Sequence, residues 1–268
     1  MAERTILEAI VAQRVQDVRA AKARHPADVL RAKLDDAPRP IDFVARLRAA
    51  APMALIAEVK RASPSKGDIA PAANAAERAL QYAGGGAAAI SVLTEPTWFK
   101  GTLDDMLAAR QAVDALGDAR PAILRKDFLI DDYQVLEARA FGADAVLLIV
   151  ACLSQSALTG LLARSRSLGM EPLVEVNNAG EMERAVKAGA RVIGINNRDL
   201  RSFTVDLGTT NRLAAGAPEG TLIAALSGIS SREDVARFQA TGAGAVLVGE
   251  ALMTGIEPAT KVRELLGR

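Results

Sequence analysis

The chain has one cysteine, Cys152, and one histidine, His25, among its 268 residues. A disulfide framework and a Cys/His zinc site each need more ligands than that, so no metal site is expected. Cys152 closes an apolar stretch and reads as a buried small hydrophobe. His25 sits in Ala-Arg-His-Pro and reads as a solvated residue at a helix C-terminus. A Ser-His-Asp triad and a Cys-His dyad are thereby set aside as well. Aromatic residues make up 3%, too few for rows of base-stacking side chains. Neither sign of charge dominates. The 33 Lys+Arg against 32 Asp+Glu leave +1, so no basic field draws the chain to nucleic acid or anionic lipid. Long apolar runs are missing too: the longest, residues 145–153, falls far short of the roughly 20 residues a membrane helix needs. Glu3 and Arg4 lead into mixed polar and apolar sequence with no secretory hydrophobic region. The expectation is a cytoplasmic protein that engages neither membrane nor nucleic acid. Any catalysis falls to Lys, Glu, Asp, Asn, Ser and Arg, or to an added cofactor.

What is present points to a large core, since 50% of residues are hydrophobic and 24% charged. The first fifty residues differ from the rest. Thr5-x-x-Glu8 is a capping box, and Ile6, Ile10, Val11, Val15 and Val18 recur at helical spacing behind it. Pro26, Pro38 and Pro40 break the segment before a short amphipathic run of Ile41, Phe43, Val44 and Leu47. Residues 1–50 are thus expected to be a helical N-terminal extension.

From residue 54 a different rhythm begins. Short β-type runs fall at 55–59, 88–93, 122–124, 145–150, 172–176, 191–195, 222–225 and 245–248. Helical periodicity separates them, as at 103–116, 133–141, 155–168, 182–188 and 235–240. Gly84-Gly85-Gly86-Ala87, Gly142-Ala143, Gly189-Ala190 and Gly242-Ala243 each precede a strand, where glycine ends a helix and alanine permits a tight approach. Asp131-x-x-Gln134, Asn178-x-x-Glu181 and Ser230-x-x-Glu233 look like capping boxes. Eight strand–helix alternations predict an α/β fold, a closed (β/α)8 TIM barrel, with residues 1–268 forming one domain. An open doubly wound sheet is the alternative, but no G-x-G-x-x-G follows the first strand. The triple glycine lies before a strand, on the wrong side for phosphate binding, and reads as structural.

In such a barrel, chemistry gathers at the C-terminal ends of the strands. Those ends read Glu58-Val59-Lys60, Leu124-Arg125-Lys126-Asp127, Leu173-Val174-Glu175-Val176, Gly194-Ile195-Asn196-Asn197-Arg198-Asp199, Ser227-Gly228 and Gly249-Glu250. One charge at a strand end is a solvated rim residue. Two lysines, two glutamates and an asparagine at one mouth instead require pairing or a charged ligand, and they allow pKa tuning for acid–base work. Small residues at Ser227-Gly228-Ile229-Ser230 and Gly249-Glu250-Ala251 expose backbone N–H groups at strand-to-helix turns, as a phosphate site does. Ser63 and Lys66 in the first loop add a hydroxyl and positive charge.

Ile56-Ala57-Glu58-Val59-Lys60-Arg61-Ala62-Ser63-Pro64-Ser65 resembles the first-strand signature of the indole-3-glycerol phosphate synthase family. The resemblance continues through Ser91-Val92-Leu93-Thr94-Glu95, Phe99-x-Gly101, Leu124-Arg125-Lys126-Asp127-Phe128, Pro172-Leu173-Val174-Glu175-Val176, Ile193-Gly194-Ile195-Asn196-Asn197-Arg198-Asp199-Leu200, Ser227-Gly228-Ile229 and Val248-Gly249-Glu250-Ala251-Leu252-Met253. It implies a decarboxylating lyase of tryptophan biosynthesis. Such an enzyme turns 1-(2-carboxyphenylamino)-1-deoxyribulose 5-phosphate into indole-3-glycerol phosphate without a cofactor. By the resemblance, Lys126 is the general acid of ring closure. Glu58, Lys60 and Glu175 share the later proton transfers, undivided between them, and Asn196 orients a substrate hydroxyl. Ser63, Ser227, Gly228, Gly249 and Glu250 hold the phosphate, largely through backbone N–H, with Arg198 supporting the anionic site. Phe99, Phe128 and Trp98 wall the anthranilate ring or simply anchor their loops. The implied partner is a small phosphorylated substrate, bound by a monomer.

One position departs from the family, which normally carries Glu where this chain has Leu226. A side chain there is expected near the rim beside Arg198 and the lysines, or else turned into the helix layer. The departure keeps open a weakened or catalytically silent phosphosugar-binding barrel. A different phosphate-binding barrel enzyme, such as phosphoribosylanthranilate isomerase, is the other alternative. That reaction is usually assigned an Asp/Cys pair, and the single cysteine lies just beyond the fourth strand.

Overall fold

In the computed structural model, which describes residues 5–200, 202–254 and 257–268, eight parallel strands close on themselves. They are β1 (Ala54–Val59), β2 (Ala89–Leu93), β3 (Ala122–Lys126), β4 (Ala145–Ile149), β5 (Glu171–Val176), β6 (Val192–Asn196), β7 (Leu222–Leu226) and β8 (Ala245–Val248). Each pairs with the next, and β8 pairs with β1, so the open-sheet alternative is overturned. Strand β3 runs to Lys126, beyond the expected end at 124, because Arg125 and Lys126 continue the register against Val92 and Leu93. Glu3 and Arg4 lie outside the described residues. Among those described, no helix is long and apolar enough to cross a membrane.

Period-two alternation sorts each strand between two cores. Leu55, Ala57 and Val59 of β1 turn outward into the helix layer, while Ala54 and Ile56 face the barrel interior. Around the barrel run α4 (Ala75–Gly85), α5 (Leu103–Asp114), α6 (Asp132–Ala140), α7 (Gln155–Ser167), α8 (Ala179–Lys187), α9 (Gly208–Ala214), α10 (Arg232–Ala240), α11 (Glu250–Met253) and α12 (Pro258–Leu266). Gly86 ends α4 at φ +93°, the left-handed conformation expected of it. The helix starts are partly as expected. Thr5 and Glu8 form their capping box, but the box near residue 230 is made one position later, by Ser231 and Asp234. Gln134 forms none. Its amide instead bonds Ile130 N and Phe128 O, bracing the loop that follows β3.

The extension comprises α1 (Ile6–Arg24), α2 (Ala27–Asp36) and α3 (Phe43–Ala49). Phe43 and Leu47 of α3 join the interior core beneath the barrel. Val18 and Leu30 pack on Tyr133 and Leu136 of α6. His25 caps α1, exposed as expected.

Because the strands tilt, residues at one height advance by about one position per strand, and alternate strands supply each interior layer. Register links Glu58 to Ser91 and Ser91 to Leu124, so Lys126, two residues on, shares the height of Glu58. The same steps carry Lys126 to Glu175 and Glu175 to Leu226. The uppermost layer from the odd-numbered strands is therefore Glu58, Lys126, Glu175 and Leu226. Leu147, Gly194 and Leu247 lie beneath it with Ser91.

At the opposite end the fold hangs on Asp144, which is fully buried. Its carboxylate accepts two bonds from Arg120, at 2.6 and 2.7 Å, and the N–H groups of Ile123 and Ile41. One side chain thus ties β3 and the segment before α3 to the barrel floor. Asp144→Ala takes from buried Arg120 its doubly bonded partner and leaves it only the Asp114 carboxylate at 3.6 Å, so unfolding free energy should fall by about 3 kcal/mol. Denaturant titration measures that loss. Activity of the folded fraction should stay at the wild-type level, because Asp144 lies at the end of the barrel away from the charged mouth.

Candidate active site

The top layer is an acid–base cluster held by its own charge balance. Lys126 Nζ lies 4.0 Å from Glu58 Oε2 and 3.8 Å from Glu175 Oε2. Both glutamates are 3% exposed, so neither charge is left to water. Glu58 Oε1 also meets Lys60 Nζ at 3.0 Å, and Ser91 Oγ donates to Glu58 Oε2 at 3.4 Å. Burial alone would raise the Glu58 pKa. Lys60, Lys126 and the Ser91 hydroxyl outweigh it, and the carboxyl is held below its ordinary value. Asn196 Nδ2 donates to Glu175 Oε1 at 2.8 Å, and its Oδ1 accepts the Arg198 N–H. Glu175 Oε2 is left as the one buried side-chain oxygen among the described residues with no hydrogen-bond partner.

These groups form the floor of a cavity of about 580 Å³. Of the residues named from the sequence as catalytic or substrate-binding, these line it: Glu58, Lys60, Ser63, Phe99, Lys126, Phe128, Glu175, Asn196, Arg198, Ser227, Gly228, Gly249 and Glu250. Trp98 does not. It packs against the interior core, while Phe99 meets Phe128 at 6.0 Å between ring centres. Buried Glu95 shapes that loop by accepting from Thr97, Trp98 and Phe99 N–H. Cys152 is only half-buried and does not line the cavity. Burial and the nearby Glu175 and Glu181 push its thiol up to about 12, which removes it as a nucleophile.

Next to Leu226 in the cavity lining the turn after β7 is sharply bent, with Ser227 at φ +68° and Gly228 at φ +78°. Gly249 is needed for space, since a Cβ there would fall 2.6 Å from Glu58 Oε1 and 3.2 Å from Lys60 Nζ. Glu250 faces its carboxylate to Lys66 at 3.3 Å, leaving only its backbone to an anion. Among the described residues no group of three His, Cys, Asp or Glu side chains is placed to hold a metal ion.

Leu226 does not turn into the helix layer; it lines the cavity with Lys60, Lys126 and Arg198, just below the rim. It points into the interior, 2% exposed, as the fourth member of the charged layer. Its Cδ1 leans over Gly194, where a Cβ would come within 2.8 Å of it. Several contributors went unnoticed in the sequence. Ser91, Leu93 and Ile149 follow from strand alternation. Fully buried Asn197 holds the β7 turn by donating to Leu226 O at 3.0 Å, and Lys261 reaches the cavity from α12. No local pattern marks the last of these.

A family model described as indole-3-glycerol phosphate synthase matches residues 7–265. The chain is 56% identical, over 98% of its length, to a multifunctional tryptophan biosynthesis protein of Schizosaccharomyces pombe, of which it covers 35%. It thus spans about a third of such multifunctional relatives. It is 51% identical to an indole-3-glycerol phosphate synthase of Roseiflexus castenholzii, with 98% of this chain and 99% of that one covered. Among solved structures, thiamine phosphate pyrophosphorylase from Pyrococcus furiosus shares the fold at TM-score 0.60 and 18% identity, covering 82% of this chain and 96% of that one.

Leu226→Glu tests the charge balance of the layer. The new carboxylate would stand beside Glu58 and Glu175, with Lys126 across the barrel. Like charge favours the protonated form, so the Glu58 carboxyl should be held less far below its ordinary value. The acid limb of kcat/KM should move to higher pH and the melting temperature should fall. A variant with a higher kcat and an unmoved acid limb would contradict this geometry.

Proposed function

Because the chain belongs to the indole-3-glycerol phosphate synthase family, we infer that it converts 1-(2-carboxyphenylamino)-1-deoxyribulose 5-phosphate to indole-3-glycerol phosphate, carbon dioxide and water. The observation that carries this reading is Lys126, set between two buried carboxylates on the floor of a cavity walled by Phe99 and Phe128. In ring closure the carboxyl-bearing ring carbon bonds to the ketone carbon. The ketone oxygen takes a proton, which Lys126 Nζ supplies. Loss of carbon dioxide returns the bonding pair to the ring. Dehydration then needs a proton on the departing hydroxyl and a base for the remaining proton. Glu58, Lys60 and Glu175 supply both, and Glu175 Oε2 is open to accept because no donor occupies it.

Asn196 offers an amide already fixed by Glu175 and the Arg198 backbone, suited to orienting a substrate hydroxyl. Ser63, Ser227, Gly228, Gly249 and Glu250 receive the phosphate beside the charged layer, with Lys60 and Arg198 offsetting its charge. No step calls for a cofactor. The reading is of a monomeric enzyme acting in the cytoplasm on this small phosphorylated substrate.

Turnover is read directly by the appearance of indole fluorescence from the carboxyphenylamino-deoxyribulose phosphate. The wild-type chain should give it. Lys126→Met should lower kcat by at least about 100-fold, the usual loss for a positioned acid, in a chain that still folds but melts at a lower temperature because Glu58 and Glu175 lose the ammonium between them. Binding without fluorescence in the wild type would favour the silent phosphosugar-binding barrel. Near-full kcat in Lys126→Met would remove Lys126 as the principal acid.

A further inference from the structure

The extension reaches the floor of the cavity through one buried side chain. Arg14 projects from α1, 6% exposed, and its Nη2 donates to Asp127 Oδ2 at 3.0 Å. Asp127 directly follows Lys126 and precedes Phe128, and its side chain is fully buried. The same Oδ2 accepts from Arg125 at 3.0 Å and from Thr94 Oγ1 at 2.7 Å, while Oδ1 accepts the Phe128 N–H at 2.8 Å. Asp17 pairs with Arg14 at 2.9 Å and Glu137 with Arg125 at 2.9 Å. Charges therefore alternate along a chain of five: Asp17, Arg14, Asp127, Arg125, Glu137. Leu7 and Ile10, on the same helix, are buried in the cluster that contains Phe128 and Ile149.

We propose that Arg14 is a positioning residue for Lys126, fixing the Lys126-Asp127-Phe128 segment from the N-terminal extension through the Asp127 carboxylate. The proposal rests on the reading of Lys126 as general acid. A guanidinium is suited to the task because its planar fork holds Asp17 with one nitrogen and Asp127 with another. Arg125 and Thr94 hold Asp127 from the barrel side, so without Arg14 the strand keeps its fold but the segment beyond Lys126 loses one of its restraints. Catalysis is sensitive to such loosening, since a displacement of about 1 Å can cost on the order of 100-fold in rate.

The test compares Arg14→Met, Arg14→Lys and Lys22→Ala in the full chain. Lys22 bridges α1 to Asp131 at the exposed start of α6, so its removal loosens the same helix away from the cavity. Arg14→Met should lower kcat about 10- to 100-fold with little change in KM. Amide hydrogen exchange should quicken in residues 126–130. Arg14→Lys, which keeps the charge without the fork, should recover only part of the rate, and Lys22→Ala should match the wild type in rate and in exchange at that segment. Should Arg14→Met fail to fold, Arg14→Gln carries the same expectations. Wild-type kcat in the folded Arg14 variants overturns the proposal. An equal loss in Lys22→Ala, or a rise in KM at constant kcat, also overturns it. Full activity in Lys126→Met instead sinks the general-acid reading, and exchange at 126–130 then still reports whether Arg14 holds the segment.

Discussion

Two carboxylates buried at one height inside a barrel need a cation between them, and the register of the strands delivers Lys126 to that place. Glu58 comes from β1 and Glu175 from β5, on opposite sides of the interior, with β3 between them. Their charges would repel and desolvate one another without the ammonium. The remaining lone pairs are largely taken as well, by Lys60 and Ser91 at Glu58 and by Asn196 at Glu175. What is left open is Glu175 Oε2, facing Lys126. A buried acceptor with no donor is costly in a resting protein, and the facing ammonium offsets part of that cost.

This charged layer depends on neutral neighbours. Gly249 has no side chain because the Glu58–Lys60 pair occupies the space a Cβ would need. Leu226 completes the layer with an apolar corner, and it can lean inward because Gly194 beneath it leaves room. The Asp144–Arg120 pair serves a different end. It lies at the start of β4, paired two-to-two and sealed beneath the barrel, so it stabilises the floor without meeting a ligand.

Much of this was legible in the sequence because the barrel repeats one simple unit. Eight apolar runs and the glycines before them located every strand to within a residue or two. Charges at strand ends located the mouth. The misreadings share a physical origin. The apolar run of β3 stops at Leu124 because Arg125 and Lys126 are charged, although register continues through both. Gln134 stands at capping-box spacing, yet its amide bonds the adjoining loop, a tertiary demand no local pattern expresses. The neighbouring Ser227 suggests the rim for Leu226, or else the helix layer. Alternation turns adjacent residues to opposite faces, and only the tilt of the closed barrel shows that Leu226 shares a height with Lys126. The order of charges along the sequence also says nothing of which ones meet. Arg14 and Asp127 are distant in the chain, and their pairing exists only once α1 lies across the barrel.

Alternation also explains how inward-facing functional groups are held still. On β3, Lys126 points inward between Arg125 and Asp127, and those two bond each other on the outer side. Arg125, 1% exposed, further engages Thr94 and the Gln134 carbonyl. At the end of β6, Asn196 points inward to Glu175, and Asn197 beside it holds the β7 turn and accepts from Thr210. On β1, Glu58 has apolar neighbours, and its backbone carbonyl instead accepts from the buried Tyr82 hydroxyl of α4. In each case a polar group on the helix side fixes the backbone from which the inward side chain projects. Lys126, whose side chain carries up to about 2 kcal/mol of rotamer freedom, thus projects from a backbone that is itself restrained. The buried polar residues of the helix layer therefore belong to the same working unit as the cavity.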